Sequence, residues 1–123
     1  MKRFILVQNL HRKLDLPIRA RWCRSFACRL RGLMFRRHLA PHEGLLLVQE
    51  TASRLDAAIH MLFVFTDLAV FWLSAEKKVV DKVLARAWQP VYVPRQPARY
   101  ILEAHPQRLD DFQIGEQVEF SDA

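Results

Sequence analysis

Four sets of residues in this chain have side chains able to do chemistry. His38, His42 and Glu43 fall close together. A His-x3-His pair on one helix can share a metal ion. Pro41 stands between the two and breaks such a helix, and no cysteine or further carboxylate completes a set at ligand spacing. The residues predict no metal centre, and no Gly-rich phosphate loop, Gly-x-Ser-x-Gly elbow or Cys-x-x-Cys pair points to a cofactor. Cys23 and Cys28 are the only cysteines. On one helix they would point about 140° apart, too far round to chelate one ion together. Cys23 reads as a small core residue. Cys28 has Arg24, Arg29 and Arg31 as neighbours, cations that would lower a thiol pKa; the plainer reading is a surface thiol among solvated arginines. His60 lies among apolar residues. It is a core histidine with one hydrogen bond, or a ligand-binding donor or general base. As a base it needs a carboxylate to orient it, and Glu43, Asp67 and Glu103 are the candidates.

Arginines form the remaining set. Arg31 and Arg36, with Arg37, suit bidentate binding of a carboxylate or phosphate. Arg31 has a second reading as the internal ion-pair partner of Glu43 or Glu103. The formal net charge of +6 is unevenly placed: 11 of the 19 Lys/Arg but only one of the 13 acids precede Leu39. Such an asymmetry fits an anionic partner, nucleic acid or a charged surface among them. Its plain alternative is a solvated basic face. Trp22, Phe26 and Phe35, interspersed with these arginines, are expected to face the core.

The elements that must position these groups are mostly strands. The most apolar run is Ala57–Ala75. Its length would suit a membrane-spanning helix, but Asp67 near its centre makes insertion costly. Its β-branched and aromatic residues, split by Thr66-Asp67, favour two buried strands, Ile59–Phe65 and Leu68–Ser74. Phe4–Val7 reads as a first strand. Leu16–Trp22 alternates apolar and basic residues, the period of a half-buried edge strand. From Ser25, the apolar residues Phe26, Leu30, Leu33 and Met34 form one helical stripe, weakened at Gly32. Further strands are expected at Leu45–Gln49, Val79–Ala87, Arg99–Ala104 and Val118–Phe120. A Pro-rich loop spans Gln89–Pro97, and a helical turn lies within Pro106–Phe112. Chain length and a 51% apolar fraction fit one domain over residues 1–123. The fold class is α+β: a β-rich domain, mostly antiparallel sheet or a partly closed barrel, with one or two short helices. Two cysteines without a secretory signal read as reduced thiols. The apolar run after Met1-Lys2-Arg3 is too short for a signal peptide, so the expected localisation is cytoplasmic.

A series of segments along the chain resembles a known family. Arg31-Gly32-Leu33-Met34-Phe35-Arg36, Glu43-Gly44-Leu45-Leu46-Leu47, Ile59-His60-Met61, Val70-Phe71-Trp72-Leu73, Tyr100-Ile101-Leu102-Glu103 and Gly115-Glu116 occur in the order of the domain of unknown function family 192. The resemblance covers roughly residues 5 to 120 and implies a compact, mainly β domain with no established activity. Val64 and Asp67-Leu68-Ala69 stand where the family often has Met and Pro-Ile-Asp or Pro-Leu-Asp. Ala69 replaces the usual Asp, Ser74 another, and Glu116 the Asp of a final Gly-Asp. If the lost Asp carries chemistry in relatives, this chain lacks it.

Three functions follow for test. The first is a small ligand-binding module, with Arg31, Arg36, Glu43, His60, Asp67, Trp72 and Glu103 as candidate binding residues. The second is a binder of nucleic acid or anionic surfaces through the basic N-terminal third. The third is a hydrolase-like enzyme using His60.

Overall fold

A computed structural model gives the fold and describes residues 2–123. Seven strands follow one another: β1 Phe4–Asn9, β2 Ile18–Cys23, β3 Glu43–Ser53, β4 Leu68–Leu73, β5 Val79–Ala85, β6 Ala98–Ala104 and β7 Val118–Asp122. A short helix, α1 (Phe26–Arg31), lies between β2 and β3, and a 3-10 helix (Pro106–Asp111) precedes β7. The strands form one sheet in the order β5-β4-β6-β3-β2-β1-β7. Every pairing is antiparallel except β2 with β3. A parallel neighbour needs a crossover rather than a hairpin. The connection from Arg24 to His42 supplies it and carries α1 over one face of the sheet.

Period-two alternation sorts the strand residues onto two cores. On one face, Ile5, Val7, Ile18, Ala20, Leu46, Val48, Ala69, Phe71, Leu73, Tyr100 and Leu102 pack with Phe112. This is the inside of a curled sheet. Its outermost strands meet at one end: Lys78 bridges Gln117, and Val79 N–H donates to Glu116 O at 3.0 Å. On the other face, Leu45, Leu47, Val70, Trp72 and Ile101 are covered by Leu33, Leu39, Ile59, Met61 and Val64. All six residues of β4 are buried, because both faces are covered. That double burial is why its sequence is an unbroken apolar run.

The fold is β-rich, with two short helices, as expected. Four local expectations are corrected. Ile59–Phe65 forms no strand; Ile59 makes one isolated bridge to Tyr92, and the rest is turns that lay Ile59, Met61 and Val64 on the outer core. Its apolar, β-branched composition reflects burial rather than ladder pairing. Leu16–Trp22 is no edge strand, since β2 lies between β1 and β3; its alternation survives because its outer face carries Arg19 and Arg21. The helical stripe ends at Gly32, where φ is +50°, and α1 buries none of its residues. Phe26 is 74% exposed and Phe35 57%, so of the three aromatics expected to face the core only Trp22 packs against it.

The expectation of reduced thiols is also corrected: Cys23 and Cys28 form a disulfide across 5.6 Å between their Cα atoms. Cys23 ends β2 and Cys28 lies in α1, so the bond pins the helix to the sheet. The two are not on one helix, and the angular argument against their meeting does not apply. Among the described residues no helix is long and apolar enough to cross a membrane.

Candidate functional site

Where α1 and the turn after it pass over the outer face of the sheet they leave a cavity of about 400 Å³. Its floor is Leu47 of β3, Leu68 of β4 and Glu103 of β6. Phe26, Leu30, Leu33 and Met34 wall one side, and Ile59, His60, Met61 and Val64 the other. Of the stripe read from the sequence, Phe26 and Leu30 reach this cavity from α1 and Leu33 and Met34 from the turn after it.

Glu103 is the unusual member. Its neighbours in register are Leu45 and Val70, both apolar and on the outer core. Its residue is 5% exposed, and its carboxyl makes no hydrogen bond or ion pair among the described residues. Burial without a counter-charge pushes its pKa up to about 7, because the ionised form loses its hydration. Gly32 sits over it: a Cβ there would lie 3.7 Å from Glu103 Oε1, and the backbone at Gly32 is left-handed, a conformation glycine takes without strain.

His60 contributes a buried atom without a partner. Its Nε2 lies 3.3 Å from the carbonyl oxygen of Leu30, which can only accept. A neutral imidazole donating there presents Nδ1 as an acceptor. Nδ1 is buried and unpartnered, as is Nε of Arg29, which also lines the cavity. Buried polar atoms are nearly always satisfied in folded proteins. Two orphans and a desolvated carboxyl lining one cavity are therefore a marked departure.

Residues 7–120 match the model of domain of unknown function family 192, described as Uncharacterized ACR. The chain belongs to that family. It is 30% identical to a UPF0127 protein of Pyrococcus furiosus over 92% of this chain and 96% of the relative. It is 39% identical to a UPF0127 protein of Thermococcus gammatolerans over 64% of this chain, which spans 50% of that relative's length. A crystal structure of a protein of unknown function from Novosphingobium aromaticivorans superposes with a TM-score of 0.81 at 20% identity, covering 96% of this chain and 84% of that one. A Sinorhizobium meliloti structure superposes with a TM-score of 0.82 at 17% identity, covering 98% and 94%. At those identities the likeness is one of fold.

Two departures from the family pattern now have positions. Ala69 is fully buried on the inner core face, where a carboxylate would need a partner to offset its desolvation. Ser74 lies in the β4–β5 turn, and its hydroxyl accepts from Lys78 N–H at 3.2 Å.

Of the candidate residues, Arg31, His60 and Glu103 come together at this cavity. Arg36 and Glu43 pair with each other at 3.4 Å on its far side. The backbone N–H of Ala40 and, to a lesser extent, Arg36 hold the Glu43 carboxyl below its ordinary pKa against the cost of desolvation. Arg31 makes no ion pair with Glu43 or Glu103, so that internal reading is corrected. Trp72 is buried beneath the site as a support, its indole N–H donating to Ala57 O at 2.8 Å. Asp67 lies elsewhere: it accepts from Ala87 N–H at 2.9 Å and Arg86 Nη1 at 3.1 Å, and is no partner for His60. Among the described residues no group of three or more His, Cys, Asp or Glu could hold a metal ion.

The sequence reading missed a surface cluster. Phe35, Phe63, Trp88 and Phe65 meet in that order, tilted or edge-on, at centroid distances of 5.1–5.7 Å, and Phe35, Phe63 and Trp88 all have positive φ. It also missed Arg29 and Asp56 at the cavity. Nothing local marks these residues; only the crossing of three connections gathers them.

Proposed function

We propose that the chain is a binding protein for a small, largely apolar molecule carrying a hydroxyl or amide group, held in the cavity over Glu103. The observation that carries this reading is the Glu103 carboxyl, buried among apolar residues without a protein partner. A volume near 400 Å³ is that of a small-molecule site, and apolar walls with a few convergent polar groups are the usual lining of one. The unpartnered Nδ1 of His60 accepts a hydrogen bond, and a protonated Glu103 both donates and accepts. Arg29 and Arg31 at the same cavity disfavour a cationic ligand.

The test is a thermal-shift screen of neutral alcohols and amides with apolar bodies, read at low and high salt. A ligand at 100 times its dissociation constant adds about 2.7 kcal/mol. The expected hit survives high salt and is lost in Glu103→Leu, which itself melts no lower than the parent, since the substitution removes a desolvated carboxyl. A panel that leaves the parent's melting temperature unmoved, or a hit that persists in the variant, overturns the reading.

A further inference from the structure

A second concavity, of about 760 Å³, lies on the other side of the Arg31–Met34 wall. Among the described residues five basic side chains, Lys2, Arg19, Arg21, Arg31 and Arg36, line it together with His42, and Glu43 is the only acid there. Arg36 already pairs with that acid at 3.4 Å. Lys2, Arg19, Arg21 and Arg31 make no ion pair among the described residues. The topology creates this concentration. Arg19 and Arg21 share the outer face of β2, rooted roughly 7 Å apart by the strand repeat. They are in register with Leu6 and Phe4 of β1, and the Arg19 guanidinium lies 3.7 Å over the Phe4 ring. Arg31 arrives from the end of α1.

We infer that this groove binds an anion with two adjacent phosphate groups, such as a diphosphate or bisphosphate. The inference does not rest on a ligand in the apolar cavity, although Arg31 lines both. Like charges gathered in a concave surface repel one another and focus a positive potential, which a solvated basic face spread over convex surface would not do. Four unpaired cations call for about four negative charges, and a phosphate monoester carries about −1.5 to −2 near neutral pH, so two such groups balance the site. Guanidinium groups take phosphate by paired, charge-assisted hydrogen bonds, and Arg19 is braced for this by its stacking on Phe4.

Inorganic pyrophosphate is the probe, titrated into the full chain by calorimetry and by amide NMR, with inorganic phosphate, a nucleoside diphosphate, a sugar bisphosphate and a single-stranded oligonucleotide alongside. Pyrophosphate is expected to bind at least about tenfold more tightly than phosphate, with affinity falling as salt rises and amide shifts centred on Arg19, Arg21 and Arg31. The nucleoside diphosphate and sugar bisphosphate separate the sources: whichever exceeds pyrophosphate identifies the group attached to the phosphates. The double substitution Arg19→Gln and Arg21→Gln is expected to weaken pyrophosphate by at least about tenfold at an unchanged melting temperature. If that variant folds poorly, Arg31→Gln and the NMR map of the parent decide. Equal affinity for phosphate and pyrophosphate, amide shifts elsewhere, unchanged affinity in a folded variant, or binding of the oligonucleotide alone overturns the inference.

Discussion

At the scale of single residues, Glu103 sets a pH dependence. Its carboxyl stays protonated up to about pH 7 in the folded chain, against an ordinary value of 4.5. Between those values the folded state keeps a proton that the unfolded state has released. Stability therefore falls as pH rises from about 4.5 to 7 and is level above that. The span is worth roughly 3 kcal/mol as an upper figure. Glu103→Gln removes the titration, so the variant's stability relative to the parent should grow by about 2–3 kcal/mol between pH 4.5 and 8. Urea unfolding at the two pH values measures it, and parallel pH profiles would show that the carboxyl is solvated after all. A neutral ligand donating to Glu103 should shift this window downward, because a hydrogen bond to the ionised form favours ionisation.

At the scale of elements, α1 depends on its attachments. Six residues are too few for a helix to stand alone, and none of the six is buried. The Ser25 hydroxyl caps it by accepting from Cys28 N–H at 3.1 Å. Gly32 N–H closes its end on Cys28 O at 2.9 Å, and the Cys23–Cys28 disulfide ties it to β2. A short cross-linked loop of this kind contributes roughly 2 kcal/mol by the chain-entropy argument. Reduction with dithiothreitol is expected to raise hydrogen exchange through residues 26–32 and to weaken any ligand of the apolar cavity, while β3, β4 and β6 keep their protection. Exchange at α1 that does not respond to reduction would mean that the cap and Gly32 suffice. A disulfide is characteristic of oxidising compartments. The cytoplasmic placement therefore loses the support it drew from reduced thiols and is kept only as a proposal.

For the molecule as a whole, the critical feature is how the curled sheet is held shut. Glu116, just before β7, accepts from Asn9 Nδ2 at 3.0 Å and from Gln113 N–H at 2.6 Å, and pairs with Arg12 at 3.3 Å. Asn9 Nδ2 also donates to Asp111 O at 2.9 Å, which joins the end of β1 to the 3-10 helix. Arg108 adds bonds to Asp111, Pro41 O and Leu16 O, so three connections meet under one guanidinium. The hydrogen bond from Arg12, with those from Gln113 and Asn9, holds the Glu116 carboxyl down to about 2 despite its desolvation. A carboxyl depressed in this way stabilises the fold above its ordinary value of 4.5, and that contribution disappears as pH falls from there to about 2. Glu116→Gln should flatten the acid limb of the stability profile and lower the melting temperature at pH 7. An acid limb identical to the parent's would place the closure elsewhere.

Sequence alone determined the elements whose burial is one-sided or complete. Alternation marked β2, unbroken apolarity marked β4, and both followed from which faces the chain must hide from water. The ordered series from Arg31-Gly32 to Gly115-Glu116 carried the family, and the family carried the mainly β fold. His60 was legible as a candidate because a polar group among apolar neighbours is conspicuous in a sequence, Arg31 because a guanidinium in a basic run suits an anion, and Glu103 because a base needs a carboxylate to orient it. Their gathering at one cavity was not, since Arg31 comes from the β2–β3 connection, His60 from the β3–β4 connection and Glu103 from β6. Tertiary packing likewise set Asp67 against Arg86 and Ala87 rather than His60, sent Phe26 and Leu30 to a cavity wall, and brought Cys23 and Cys28 within bonding distance. Local periodicity reports how each segment divides its surface between water and protein. Which protein surface it meets is decided by strand order, and strand order depends on contacts far apart in the chain.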